Sequence, residues 1–389
     1  MSLLGRRALG VAAIAGLTLA LVPVALPAVA SDPIGGPQMG SVGLVLAPGV
    51  KPPPDVGASW VVADFDTGVI FAAKAPHVPG RPASTLKTLT ALTLMPLLDP
   101  TTVYTATAAD VRMQGTRVGM IAGTTYTVDE LFKALLLPSA NDAAHGLATL
   151  AGGVPRTIAL MTAEARHLQA FDTAVKDPSG LDAKGQLTSA YDLALFARAA
   201  MALPAFRAYV ITSRATFPGQ LSKTPGGPRG TFVIENKNRL LMDGYPGIIG
   251  VKTGYTTQAG NTYIGVATRG GHTLLITLMH AKGIGEKAER RLFDWAFANY
   301  ATAGQVGALV GPASAVTASP TPTPAAAGSQ QHAPTAAGSA GVSSGSLLMW
   351  LAGAAGAAAL ALAGAAVARS SRRKRRMVSP LGLAPLRRR

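Results

Sequence analysis

The clearest strand pattern lies near residue 60. Two apolar stretches, SWVVADF at 59–65 and VIFAAK at 69–74, flank the triplet Asp66-Thr67-Gly68. Short apolar runs joined by a turn that contains Gly are typical of a β-hairpin. The pattern therefore predicts two antiparallel strands at the start of the folded region.

Helical spacing dominates the middle of the chain. Helices are predicted at about 84–97, 127–138, 141–151, 155–170 and 189–202. The first ends at Asp99-Pro100, and the second opens with a capping box formed by Thr127 and Glu130. The middle of the chain is therefore expected to be mostly helical.

Strand patterns return late in the sequence. The stretches IIGVKTG at 248–254, NTYIGVAT at 261–268 and HTLLITLMH at 272–280 predict three strands, and Arg269-Gly270-Gly271 predicts a turn between the last two. An amphipathic helix follows at 287–300. Strands at both ends with helices between them favour an α+β fold, in which helices flank an antiparallel sheet and form a mostly helical subdomain.

The two ends of the chain lack such patterns. Residues 1–30 combine Arg6 and Arg7, an apolar run and a small-residue site at Ala28-Val29-Ala30, which predicts a secretory signal; an uncleaved N-terminal anchor is the alternative. The remaining predicted regions are a flexible N-terminal arm at 31–56, a globular domain at 57–303, a Pro/Ala/Ser/Thr-rich stalk at 304–345, a transmembrane helix at 346–368 and a basic tail at 369–389.

Charge and cysteine content narrow the possible functions. Of 35 Lys and Arg residues, nine lie in 369–389 and two in the first 30, so 24 remain against 19 acids and the rest of the chain is only mildly basic. The basic tail is expected to keep the C-terminus in the cytoplasm and the preceding domain outside, and no nucleic-acid partner is expected. Without cysteine, and without paired histidines, no metal site or cofactor is expected.

One motif suggests nucleophilic catalysis. Ser84 and Lys87 form an S-x-x-K pattern at the predicted start of a helix, where residues i and i+3 share a face. The motif alone has little specificity, because Ser371 and Lys374 in the tail also match it. A lysine can take the serine proton only if burial or a second cation lowers its pKa. The first copy therefore predicts a second lysine nearby.

Two further motifs complete the pattern. Lys252-Thr253-Gly254 is the only K-T-G in the chain and lies at the end of a predicted strand, where it can hold a substrate carboxylate. Ser139-Ala140-Asn141 is the only S-x-N and lies between two predicted helices. Its hydroxyl can relay a proton, and its amide can bind a substrate carbonyl. Each motif alone fits an ordinary structural role, but together they favour a catalytic site.

These motifs, in this order, occur in penicillin-binding proteins and class A β-lactamases. The chain resembles the low-molecular-mass penicillin-binding proteins, the serine D-alanyl-D-alanine carboxypeptidases of peptidase family S11. The stretches LLLPSANDAA, DPSGLDAKGQLTSAYDLALFARAA and YPGIIGVKTGYTTQAGNTYIGVA also resemble this family. The resemblance implies a β-lactamase/transpeptidase-like fold and removal of the terminal D-alanine from peptidoglycan stem peptides that end in D-Ala-D-Ala.

The resemblance also implies roles for the motif residues. Ser84 would be the acylated nucleophile and Lys87 its general base. Ser139 would pass the proton to the leaving D-alanine, and Asn141 would orient the acyl peptide. The loop 177–182 is expected near the site, without a catalytic role.

The resemblance further implies that the K-T-G strand binds the terminal carboxylate and the reacting carbonyl of the substrate. Lys252 would lower the pKa of Lys87 by charge repulsion and bind the terminal carboxylate together with Thr253. Gly254 would let the substrate backbone lie close, and the N–H group of Tyr255 would share an oxyanion hole with that of Ser84. Lys282 is a further candidate cation for the carboxylate. β-Lactam antibiotics are the expected inhibitors, and the protein is expected in the cell membrane.

Two alternatives remain from the sequence. One is a serine β-lactamase, although neither Glu164 nor Glu235 lies in the E-x-x-L-N context of a deacylating glutamate. The other is a non-catalytic wall-binding protein, for which a paired Ser and Lys would have no purpose. Because the predicted stalk starts soon after Tyr300, the second β-rich domain that some family members carry before the membrane anchor is not expected here.

Overall fold

A computed structural model describes residues 32–283 and 285–313 of the chain. The strands are β1 (Leu44–Leu46), β2 (Gly57–Asp64), β3 (Val69–Lys74), β4 (Val103–Thr105), β5 (Thr125–Thr127), β6 (Arg214–Pro218), β7 (Thr231–Glu235), β8 (Ile248–Thr256), β9 (Gly260–Arg269), β10 (His272–Ala281) and β11 (Gly307–Ala308). The α-helices are α1 (Lys87–Leu94), α2 (Ala108–Val111), α3 (Val128–Leu136), α4 (Asn141–Leu150), α5 (Val154–His167), α6 (Ala190–Met201), α7 (Pro204–Ile211), α8 (Arg239–Met242) and α9 (Gly285–Asn299).

The central sheet has seven strands, and every neighbouring pair in it is antiparallel. Its order is β1-β3-β2-β10-β9-β8, and β11 pairs with Val69 and Ile70 at the start of β3. The hairpin β2-β3 and the late strands β8 to β10 join where β2 pairs with β10, with Val62 opposite Ile276. Strands from the two ends of the domain therefore form one sheet, as the sequence predicts.

Both faces of this sheet are buried. Along β2, Val61 and Ala63 belong to the core on the side of the helical subdomain, while Trp60 and Val62 belong to a second core that includes Phe293 of α9. Successive side chains of a strand point to opposite faces. Burial on both faces therefore explains why the central strands are almost continuously apolar, without a polar alternation.

The helical subdomain follows the predicted pattern closely. A 3-10 turn, α1 and a second 3-10 turn together span 83–97, matching the predicted first helix. At the start of α3, the N–H group of Glu130 donates to Thr127 Oγ1 at 3.2 Å, and the N–H group of Thr127 donates to Glu130 Oε2 at 2.8 Å. The predicted capping box is therefore present, and it sets where α3 begins.

The folded part extends beyond the predicted limits of 57 and 303. β1 pairs with β3, and Met39 and Val45 are buried in the core, so part of the predicted N-terminal arm belongs to the domain. On the other side, Val306 and Leu309 are buried as well. Isolated apolar residues in Pro/Gly-rich segments give no periodic signal, and their burial depends on partners far away in the chain.

Several short elements have no clear pattern in the sequence. These are the ribbons β4-β5 and β6-β7 and the helices α7 and α8. In the part of the chain that the structure describes, no single helix is long and apolar enough to cross a membrane. The helices α6 and α7 together have sufficient length and apolarity, but the chain bends by 107° between them. The predicted signal, transmembrane helix and basic tail lie outside the described residues.

Candidate active site

The S-x-x-K motif forms a close pair in the structure. Ser84 lies in the 3-10 turn Ala83–Leu86, which continues directly into α1 at Lys87. The Nζ atom of Lys87 lies 3.1 Å from the Oγ atom of Ser84. The two side chains therefore share one face of the turn, as their spacing predicts.

Two further oxygen atoms surround the amine of Lys87. Its Nζ atom donates to Asn141 Oδ1 at 2.7 Å and to the backbone carbonyl of Ser179 at 2.5 Å. Asn141 in turn donates through Nδ2 to the carbonyl of Gln114 at 2.7 Å, which fixes the orientation of its amide. The predicted loop 177–182 is therefore in contact with the site, through a backbone atom that no side-chain motif reveals.

Ser139 lies at a strained position between α3 and α4. Its φ angle is 66°, a left-handed conformation that L residues rarely adopt. The Oγ atom is buried and has no hydrogen-bond partner among the described residues, yet Ser139 lines the same cavity as Ser84. An unpaired hydroxyl in such a place is available to a ligand, and strained backbone is often found at functional sites.

The K-T-G strand, β8, forms another wall of this cavity of about 610 Å³. Thr253, Gly254 and Tyr255 line it, and Tyr255 is 65% exposed. A Cβ atom at position 254 would stand 2.9 Å from the backbone nitrogen of Thr85, so glycine allows β8 to lie against the turn that carries Ser84. The eight predicted site residues therefore come together, with Lys87, Asn141 and Lys252 buried behind the cavity wall.

Burial controls the charge of the two motif lysines. It is the first cause that lowers the pKa of Lys87 to about 7, and the charge of Lys237 lowers that pKa further. Burial also lowers the pKa of Lys252 well below its ordinary value, and repulsion from Lys87 and Lys237 adds to that effect. Desolvation is therefore the largest cause for both lysines, and the predicted repulsion between Lys87 and Lys252, which is mutual, is secondary to it.

Lys237 is a site residue that the sequence motifs do not reveal. It lines the cavity, donates to Thr116 Oγ1 at 2.9 Å, and repels both buried lysines. It follows β7 in the stretch IENKNRLL, where an isolated lysine looks like an ordinary solvated residue. By contrast, Lys282, the further candidate cation, forms an ion pair with Asp55 and does not line the cavity.

One group of described side chains offers donor atoms of the kind that bind metals. The donor atoms of His77, Asp172 and Asp192 all lie within 4.8 Å of one another. His77 Nδ1 lies 2.7 Å from Asp172 Oδ2, and its Nε2 lies 2.9 Å from the carbonyl of Ile34. None of the three residues lines the cavity at Ser84, so this group lies apart from the motif residues.

The sequence of this domain matches a known protein family. The profile of the D-alanyl-D-alanine carboxypeptidases, Peptidase S11, matches residues 49–283. The chain belongs to this family. It is 40% identical over 260 residues to D-alanyl-D-alanine carboxypeptidase DacB2 of Mycobacterium tuberculosis, covering 64% of this chain and 86% of that protein. It is 31% identical over 281 residues to DacD of Salmonella typhimurium, covering 68% of each.

Solved structures of related proteins have the same fold. The crystal structure of a D-alanyl-D-alanine carboxypeptidase from Mycobacterium tuberculosis H37Rv aligns with a TM-score of 0.63 at 39% identity, covering 68% of this chain and all of that one. The Streptomyces K15 DD-transpeptidase aligns with a TM-score of 0.59 at 28% identity, covering 64% of this chain and 99% of that one. These neighbours confirm the predicted transpeptidase-like α+β fold.

Proposed function

We propose that this member of the family is a serine D-alanyl-D-alanine carboxypeptidase that removes the terminal D-alanine from peptidoglycan stem peptides. The observation that carries the proposal is the 3.1 Å contact between Ser84 Oγ and a lysine amine whose pKa is lowered to about 7. A serine hydroxyl becomes a useful nucleophile when such a base is within hydrogen-bond reach. Ser84 is accordingly the nucleophile and Lys87 the general base.

The hydrogen bonds around Lys87 fit the role of a base. An uncharged amine has two N–H groups and one lone pair. Asn141 Oδ1 and the Ser179 carbonyl can each accept one N–H group, which leaves the lone pair for the Ser84 hydroxyl. The two acceptors therefore hold the amine in the orientation that takes a proton from Ser84.

The acylation step uses both sides of the cavity. As Ser84 Oγ attacks the peptide carbonyl, its proton passes to Lys87, and the N–H groups of Ser84 and Tyr255 receive the oxyanion. The C–N bond then breaks, and the leaving D-alanine nitrogen takes a proton through the Ser139 hydroxyl. Water then hydrolyses the acyl ester and regenerates Ser84. The unpaired Oγ atom of Ser139 in the cavity wall supports its place in this relay.

The terminal carboxylate of the peptide requires positive charge and hydroxyl donors. Thr253 and Lys237 both line the cavity, and Lys252 is buried behind it. A bound carboxylate would favour the charged form of Lys252, because an opposite charge nearby raises the pKa of an amine. We therefore place the carboxylate between Thr253, Lys237 and Lys252. β-Lactam antibiotics, which carry a carboxylate beside a reactive carbonyl, would acylate Ser84 in the same position.

A serine β-lactamase is the nearest competing function. A class A enzyme uses a glutamate to activate the deacylating water. Within 32–283 and 285–313, no carboxylate hydrogen-bonds to Ser84 or Lys87. Glu235 lines the cavity but pairs with Arg214 at 2.8 Å, and Glu164 lies in α5. Glu286 and Glu289 line the cavity from α9, on the side of the K-T-G strand. The geometry therefore favours the peptidase over a class A β-lactamase.

We also propose that this activity is located on the outer side of the cell membrane, and the support for this location comes from the sequence. A signal at 1–30, an apolar span at 346–368 and the basic tail after it favour an exported domain tethered to the cell membrane, with its C-terminus in the cytoplasm. Cell fractionation tests this proposal: the full chain should remain with the membranes, and a chain that ends at residue 345 should be released from them. Release of both chains would contradict the tether.

The activity is tested with the full chain in detergent. Incubation with penicillin should give a covalent adduct on Ser84 by mass spectrometry, and incubation with a peptide that ends in D-Ala-D-Ala should release one D-alanine. Ser84→Ala should abolish both signals. An adduct without D-alanine release would contradict the carboxypeptidase function, and rapid penicillin hydrolysis would favour the β-lactamase.

A further inference from the structure

A buried acid on α9 opens into the cavity at Ser84. Glu289 is 5% exposed, and the cavity wall includes it together with Glu286 and Gly285 of the same helix. Neither acid belongs to the three motifs that the sequence singles out. Burial of a carboxylate without a partner is unfavourable, so its presence at this wall requires an explanation.

The first turn of α9 lies beside the end of the K-T-G strand. Asn261 of β9 is paired with Tyr255 of β8, and the place of a Cβ atom on Gly285 would be 3.0 Å from Asn261 Cγ. Glu289 follows Gly285 by one helical turn and therefore lies on the same face of α9. The acid therefore lines the cavity from α9, an element that carries none of the residues proposed to act on the scissile bond.

Two of the three acids in this cavity wall have a cationic partner, and one has none. Glu235 pairs with Arg214 at 2.8 Å, and Glu286 lies 3.9 Å from Arg239. Among the residues that the structure describes, Glu289 has neither an ion pair nor a hydrogen bond through its carboxyl group. Burial and the charge of Glu286 raise the pKa of Glu289 to about 8. In the free protein this carboxyl group is therefore mainly neutral at pH 7.

We propose that Glu289 is a specificity-determining residue that binds an ammonium group carried by the substrate peptide. The inference rests on the proposed carboxypeptidase function and concerns the same cavity. An ammonium is a compact donor that a single carboxylate can accept, whereas a guanidinium favours a planar, two-point partner. When the ammonium enters, its charge favours the ionised form of Glu289, and the burial of this carboxyl group strengthens the attraction.

The experiment compares two peptides that differ in whether one amine is charged or acetylated. The full chain is given Nα-acetyl-L-Lys-D-Ala-D-Ala, with a free ε-amine, and the same peptide with that amine acetylated. We expect kcat/KM to be about tenfold higher for the free amine, the ratio that corresponds to roughly 1.4 kcal/mol. Glu289→Gln, which keeps the size and removes the charge, should lower this ratio to about one.

Matched measurements separate this result from a loss of structure. Glu164→Gln makes the same chemical change on α5, outside the cavity wall, and should keep the tenfold ratio. The melting temperature of each variant shows whether it is folded. Equal rates for the two peptides in the unchanged protein, or an unchanged ratio in Glu289→Gln, would overturn the inference and leave the carboxypeptidase function standing. Hydrolysis of neither peptide would instead refute the proposed function on which the inference rests.

Discussion

Gly254 lies so close to Ser84 that a Cβ atom at position 254 would stand 2.7 Å from the backbone nitrogen of Ser84. Real Cβ atoms do not approach a backbone nitrogen so closely. The contact joins the K-T-G strand to the turn that carries the nucleophile. It also keeps the N–H groups of Ser84 and Tyr255, the two proposed oxyanion donors, on facing elements.

Gly254→Ala should therefore slow the acylation of Ser84. The added methyl group would push β8 away from Ser84 and misplace an oxyanion donor, and loss of one such donor lowers turnover about 10²–10³-fold. The second-order rate of acylation by penicillin measures this effect. Gly311→Ala, at a glycine with no atom within 4 Å of the added Cβ position, is the control and should acylate normally. Equal rates for both variants would refute the role of the close contact.

The acylation rate should depend on pH through Lys87. Because the pKa of Lys87 is lowered to about 7, the fraction of free amine falls about tenfold for each pH unit below 7 and reaches a plateau above it. Penicillin acylation measured from pH 5 to 9 should follow this curve. A rate that stays constant between pH 5 and 7 would contradict the assignment of Lys87 as the base.

Lys237→Met tests the residue that the sequence did not reveal. Removal of this cation should raise the pKa of Lys87, so the midpoint of the pH profile should move to higher pH. KM for a D-Ala-D-Ala peptide should rise about tenfold, because a hydrogen bond to a charged group contributes roughly 1.5–3 kcal/mol. Lys223→Met, an exposed lysine in the segment between β6 and β7, should change neither quantity. If both variants match the unchanged protein, Lys237 has no part in the site.

Ser139→Gly should make the protein more stable and less active. Glycine adopts a φ angle of 66° without strain, so the free energy of unfolding should rise by about 1 kcal/mol. The loss of the hydroxyl should slow D-alanine release about 10²-fold, because general acid-base catalysis contributes at least that factor. Urea unfolding and a peptide assay measure the two effects.

The control for that variant is Ala75→Gly, at another residue with positive φ that does not line the cavity. It should change stability alone. A Ser139→Gly protein that releases D-alanine at the normal rate would show that the hydroxyl does not carry the proton.

Structure that depends on short-range interactions could be predicted from the sequence. The hairpin at Asp66-Thr67-Gly68 and the capping box of Thr127 and Glu130 depend on contacts within a few residues, so their local patterns are sufficient to predict them. The three motifs were also recognisable, because each lies at the end of a predicted helix or strand, although β8 continues two residues beyond the K-T-G motif. The resemblance to the family, carried by these motifs and their surroundings, then implied that they form one site.

Long-range contacts could not be predicted from the sequence and became visible in the folded chain. The pairing of Val62 with Ile276 joins segments more than 200 residues apart, and no local pattern specifies it. The same is true of the pKa of Lys87, which depends chiefly on burial. Lys237 and Glu289 likewise lie at the site because the tertiary fold brings distant segments of the chain together. Desolvation and charge repulsion depend on distances in space, and only the folded chain sets those distances.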